Sequence, residues 1–73
     1  MAEVIKAEIT GTVWKVLVKK GDAVDEDDEI MILESMKMEI PVETPVDGKV
    51  TEICVAEGEA ISEGQTLAKI EED

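Results

Sequence analysis

Three features of the 73-residue sequence predict an all-β fold. The apolar residues, 44% of the chain, are dominated by Val and Ile, with one Trp and no Phe or Tyr, and β-branched side chains favour pleated surfaces. Turn residues break the apolar runs at the spacing of about 8 to 12 residues expected of a sandwich or small barrel. The chain also repeats itself: "GTVWKVLVKKGDAVDEDDEIMILE", residues 11–34, falls on "GKVTEICVAEGEAISEGQTLAKIE", residues 48–71, at a constant offset of 37. Gly11 meets Gly48, Val13 meets Val50, Gly21 meets Gly58, Ala23 meets Ala60 and Glu34 meets Glu71.

Each repeat reads, in order, as a short opening strand, a longer strand after its first glycine, a turn, a short strand, a second turn and a closing strand. That makes four strands per repeat and eight in all, in two sheets related by a pseudo-twofold axis. Neither repeat could bury its apolar face alone, so residues 1–73 are expected to form one domain, near the lower size limit for a core without metals or cross-links. The first turns are "KKGD" and "AEGE", where Gly21 and Gly58 are expected at positive φ, a conformation free of Cβ strain only for glycine. In the second turns Gly64 aligns with Asp27, which must then adopt the same backbone. Asp tolerates the left-handed region better than most residues.

Composition excludes several classes of function. Seven basic against nineteen acidic residues give a formal net charge of −12, which argues against nucleic acid or an anionic membrane as partner and for a monomer. No apolar stretch approaches a membrane span, and "MAEVIKAEIT" lacks the pattern of a secretory signal, so the expected compartment is the cytoplasm. One cysteine makes no internal disulfide. The absence of histidine removes His-based zinc sites and the Ser-His and Cys-His nucleophiles, and no metal site is expected.

The acidic run Asp25–Glu29 fails as a calcium loop, because no glycine follows and Met36 stands where the distal Glu is needed. A solvated turn accounts for it. Cys54 reads as a buried or half-buried strand residue rather than a reactive thiol. Trp14, the lone aromatic, makes a poor nucleic-acid platform and reads as a packing residue on a sheet face or edge.

The unusual stretch is "ILESMKMEIPV", residues 32–42. Lys37 stands midway along the chain, at the join of the two repeats, and so at the apex of the hairpin that links them. Tight hairpins normally turn on Asn-Gly, Asp-Gly or Gly-Gly; this one uses Met36 and Lys37. If the connection has two residues, both must take φ > 0. Met36 and Met38 would place flexible apolar side chains at an exposed tip, a liability unless a partner covers them. An exposed lysine is ordinarily only a solvated charge, as expected for Lys15, Lys19, Lys20, Lys49 and Lys69.

Glu34-Ser35-Met36-Lys37-Met38-Glu39 resembles the Glu-Ala/Ser-Met-Lys-Met-Glu signature of the biotinyl-domain family, the biotin carboxyl carrier modules, and the likeness extends through both flanking repeats. The resemblance implies a flattened eight-stranded barrel or sandwich of two four-stranded antiparallel sheets, with Lys37 at a tight turn between the fourth and fifth strands. It implies that a biotin protein ligase joins biotin to Lys37 by an amide. The tethered biotin would then carry CO2 as carboxybiotin from a biotin carboxylase to a carboxyltransferase, so that the domain is a carrier and not a catalyst. Met36 and Met38 would serve recognition, with Glu34, Ser35 and Glu39 as lesser parts of the motif.

The chain departs from the family pattern before the second strand, where the usual Ala-Pro-Met-Pro-Gly stands as Ala7-Glu8-Ile9-Thr10-Gly11, without either proline. No protruding insertion interrupts the first repeat. The initiating Met and the "EED" end suit a free-standing protein, and a domain of a larger carboxylase is the alternative. A lipoyl carrier has the same architecture but usually turns on Asp-Lys-Ala, so the methionines favour biotin, with lipoate a possible second cofactor. An unmodified interaction module is the reading from a different class.

Overall fold

The computed structural model describes residues 2–73. The strands are β1 (Ala2–Lys6), β2 (Gly11–Val16), β3 (Ala23–Val24), β4 (Glu29–Ser35), β5 (Met38–Glu43), β6 (Gly48–Ile53), β7 (Ala60–Ile61) and β8 (Thr66–Glu72). They form two four-stranded sheets, ordered β1-β8-β6-β3 and β5-β4-β2-β7, with every pairing antiparallel. A shift of one repeat turns each order into the other: β8 becomes β4, β6 becomes β2, β3 becomes β7, and β1 becomes β5. Each repeat gives two strands to each sheet, so the halves are interleaved and neither is a separable unit. The sheets stay distinct, and the molecule is a sandwich of 35 × 17 × 17 Å rather than a closed barrel.

The symmetry reaches the irregularities. In β2, Val13 pairs with Leu33 and Lys15 with Ile32, leaving Trp14 as the extra residue of a bulge; in β6, Thr51 is the equivalent extra residue between Val50 and Glu52. Ile30 of β4 and Leu67 of β8 are a second matched pair of bulges, and both side chains are fully buried. A bulge adds twist and bends its strand, and here it turns two large aliphatic groups inward. Trp14 keeps 42% of its surface exposed with Lys15 Nζ 5.7 Å from its ring centre. It stays at the surface and takes no part in the core.

The connections obey the same operation. Gly21 donates its N–H to the Val50 carbonyl and Gly58 to that of Val13, and φ is +96° and +88° at these glycines. Asp27 has φ of 73° where Gly64 has 88°, as the alignment requires. In the acidic run the Asp28 carboxylate accepts the Asp25 N–H at 2.9 Å, the ordinary turn bond that Gln65 Oε1 makes with the Ser62 N–H. Cys54 lies one residue past β6, half-buried, its N–H donating to the Leu67 carbonyl; the strand stops one position sooner than its apolar pattern suggests.

The core lies between the sheets. Val13, Ile30, Met31, Leu33, Val50 and Ile70 have at most 1% of their surface exposed. Thr44, the single buried polar residue among those described, donates its hydroxyl to the Val46 carbonyl at 2.8 Å, which removes the penalty for burying it.

Candidate functional site

The β4–β5 hairpin is in the register that sequence spacing demands. Ser35 pairs with Met38, Glu34 with Glu39 and Leu33 with Ile40, so only Met36 and Lys37 make the connection. Their φ angles are 53° and 66°, the left-handed values of a type I′ turn, whose twist matches that of the strands it joins. Each position costs a residue with a Cβ on the order of 1 to 2 kcal/mol. The register is not free to relax, because slipping it by one residue would turn the apolar side of β4 to solvent.

The base of the hairpin is fastened to β2. Ser35 Oγ donates to the Thr10 carbonyl at 3.1 Å. Gly11 lies so close to β4 that a Cβ on it would collide with the Glu34 carbonyl oxygen. Glycine is therefore required at position 11 for close approach and not for a turn. Gly48 stands in the same relation to the Glu71 carbonyl. The matched glycines were visible in the sequence; that each marks a close strand contact, Gly11 under the tip and Gly48 against β8, was not, because nothing in a linear pattern measures the distance between two backbones.

At the tip itself Met36 is 90% exposed and Met38 60%, and Lys37 is exposed as well. Among the described residues Lys37 has no hydrogen bond or ion pair. Glu34 and Glu39, both exposed, face each other across the hairpin one pair below the turn. Like charges directly opposite are unfavourable, so the acids belong to the surface the tip presents and not to its stability. Exposure does not single out Lys37: Lys6, Lys15, Lys19, Lys20 and Lys49 are exposed too, and Lys69 is 3.4 Å from Glu52. What separates Lys37 is its backbone. It stands on a two-residue turn held by paired strands on both sides, with an apolar side chain before and after.

This arrangement fits a group attached covalently and fits poorly a group held by a cavity. A groove of about 510 Å³ runs between β1 and β5 with Ile5, Leu33, Ile40 and Val42 in its wall, and none of Glu34–Glu39 lines it. A substituent on Lys37 Nζ would start from the exposed tip, outside that groove.

Residues 1–70 match the profile of a family described as biotin-requiring enzymes. The chain belongs to this biotin/lipoyl family. It is 44% identical over 70 residues to the biotinylated protein TB7.3 homolog of Mycobacterium leprae, covering 96% of this chain and 99% of that one. It is 41% identical over 66 residues to the biotin/lipoyl attachment protein of Bacillus subtilis, covering 90% of each. The crystal structure of urea carboxylase from Kluyveromyces lactis superposes on 96% of the chain with a TM-score of 0.90 and 36% identity, over 6% of its own length. The domain is thus a biotin carboxyl carrier module of the kind found in biotin-dependent carboxylases, with biotin as its cofactor, and it is not catalytic by itself.

Proposed function

We propose that Lys37 is the residue that takes the biotin, and that a biotin protein ligase puts it there. The observation that carries this reading is the strained two-residue turn, which keeps an unpaired primary amine at the outermost point of a rigid hairpin. With its proton released, Lys37 Nζ attacks the acyl carbon of biotinyl adenylate. The amide C–N bond forms, the acyl–phosphate bond breaks and AMP leaves. Met36 and Met38 give the ligase, and later the carboxylase components, an apolar patch beside that amine, with Glu34, Ser35 and Glu39 completing the surface. Attached biotin supplies the group that carries CO2 between biotin carboxylase and carboxyltransferase sites. The domain holds it at high local concentration near both. The net charge of −12 favours a monomer.

Lipoate is the second reading, supported by the double description of the Bacillus subtilis relative. Intact mass after expression beside biotin ligase, with Lys37→Arg as control, decides both questions. One biotinyl amide on the wild type and none on the variant is the expected result. A lipoyl mass would replace the cofactor, and biotin persisting on Lys37→Arg would overturn the site.

A further inference from the structure

The sandwich has an open seam between the edge strands β1 and β5, and its two sides are not equally protected. At Ala7 both backbone groups face the β8 side, its N–H donating to the Gln65 carbonyl and its C=O accepting from Gly64. Strand alternation then turns the N–H and C=O of Ile5 and Glu3 toward β8 and those of Ala2, Val4 and Lys6 outward. Thr44 makes the equivalent pair of bonds with Asp28 and Asp27, so in β5 the outward positions are Glu39, Pro41 and Glu43. Pro41 is the repeat equivalent of Val4, and Pro45 of Glu8. On the β5 side an edge proline therefore removes the central outward donor, a common protection against strand addition. On the β1 side that donor is present, and Val4 beside it is 42% exposed.

We propose that the β1 edge is a docking site for an extended segment of a partner protein, added as an antiparallel fifth strand and recognised by an apolar centre with Lys or Arg at its flanks. Alternate side chains of such a strand, opposite Glu3 and Ile5, enter the groove and meet Ile40 and Val42, while those between them cover Val4. Glu3, Glu8 and Glu43 rim the same groove, against Lys6 alone. That balance selects cationic flanks. It also disfavours a second copy of this chain as occupant, since each copy carries a net charge of −12. Main-chain bonds would supply affinity, and the groove and its acids the choice of sequence.

The test uses the unmodified protein and a blocked nonapeptide with a Val-Ile-Val centre and two Lys or Arg at each end, titrated into isotope-labelled domain and followed by amide shifts. Expected are saturable shifts centred on Ala2, Val4, Lys6 and the Ile40–Val42 wall, at least tenfold weaker binding by Val4→Pro, and none by a peptide with Glu flanks. A composition-matched scrambled peptide that binds equally well, or shifts centred on the Lys37 tip, would overturn the proposal. So would self-association through β1 seen in sedimentation without peptide. If Val4→Pro does not fold, Val4→Lys, which leaves the ladder intact and puts a cation on the edge, must weaken binding of the cationic peptide by a similar factor. Acylation of Lys37 is measured separately and should be unaffected by either variant.

Discussion

Among the described residues, Asp27 and the Met36–Lys37 tip are the places where non-glycine residues hold positive φ, at 73°, 53° and 66°, yet the two turns have different reasons. The Asp27 turn has a twin in the second repeat, where Gly64 does the same work at 88°. Both twins are tied down, Asp27 donating its N–H to the Thr44 carbonyl and Gly64 to that of Ala7. Its geometry is dictated by the fold, and aspartate is merely a residue that tolerates it. The tip lies outside the matched segments, residues 11–34 and 48–71, and joins one repeat to the next. No symmetry constraint selects Met-Lys there, and the local conformational preference is against it. Backbone strain alone therefore does not identify a functional site. Strain at a position that the internal repeat leaves unconstrained does so with more force.

The comparison can be broken most sharply with two methionines. Met31, fully buried, and Met36, 90% exposed, differ in nothing but place. Met31→Ala should cost roughly 2 to 5 kcal/mol by transfer and cavity terms, and Met36→Ala at most about 0.5 kcal/mol, as read by chemical denaturation. Acylation rates should run the other way, Met36→Ala being slowed many-fold and Met31→Ala near wild type in whatever fraction is folded. Equal loss of stability would place Met36 in the core and end its assignment to recognition.

Gly11→Ala and Gly48→Ala test whether the tip is held from below. Each introduces a collision with a strand carbonyl, costing on the order of 1 to 3 kcal/mol as overpacking does. Only Gly11→Ala should also slow acylation, because only Gly11 abuts the base of the hairpin. If both variants lose acylation in proportion to stability, the contact is structural and nothing more.

Replacing Met36-Lys37 with Asn-Gly should relieve the turn by about 2 kcal/mol, raising the melting temperature by roughly 10 °C in a domain of this size, and abolish acylation. A fall in melting temperature would show the apex to be relaxed. The smallest effect is expected of Asp27→Gly, a gain of about 0.5 kcal/mol, since the strain relieved is partly offset by greater freedom of the unfolded chain. Acylation should not change. Loss of function there would erase the distinction between the two turns.

The repeat determined much of this protein from sequence. Once Gly64 lies opposite Asp27 and Lys37 lies at the join, positive φ at Asp27, Met36 and Lys37, the two matched sheets and the exposed tip all follow from strand alternation and turn chemistry, which are local rules. The signature Glu34–Glu39 added the cofactor. What the tertiary structure decided lies between segments distant in the chain: the interleaving of the halves across both sheets, the bulges at Trp14, Thr51, Ile30 and Leu67, the approach of Gly11 to the Glu34 carbonyl, the Ser35 bond to Thr10, and the seam where Val4 and Pro41 line opposite edges. Local pattern states which face a side chain takes and which angle a turn needs. Only packing two twisted sheets on one core fixes how near two backbones come, where a strand must take an extra residue to stay in register, and which edge is left with its hydrogen bonds unmade.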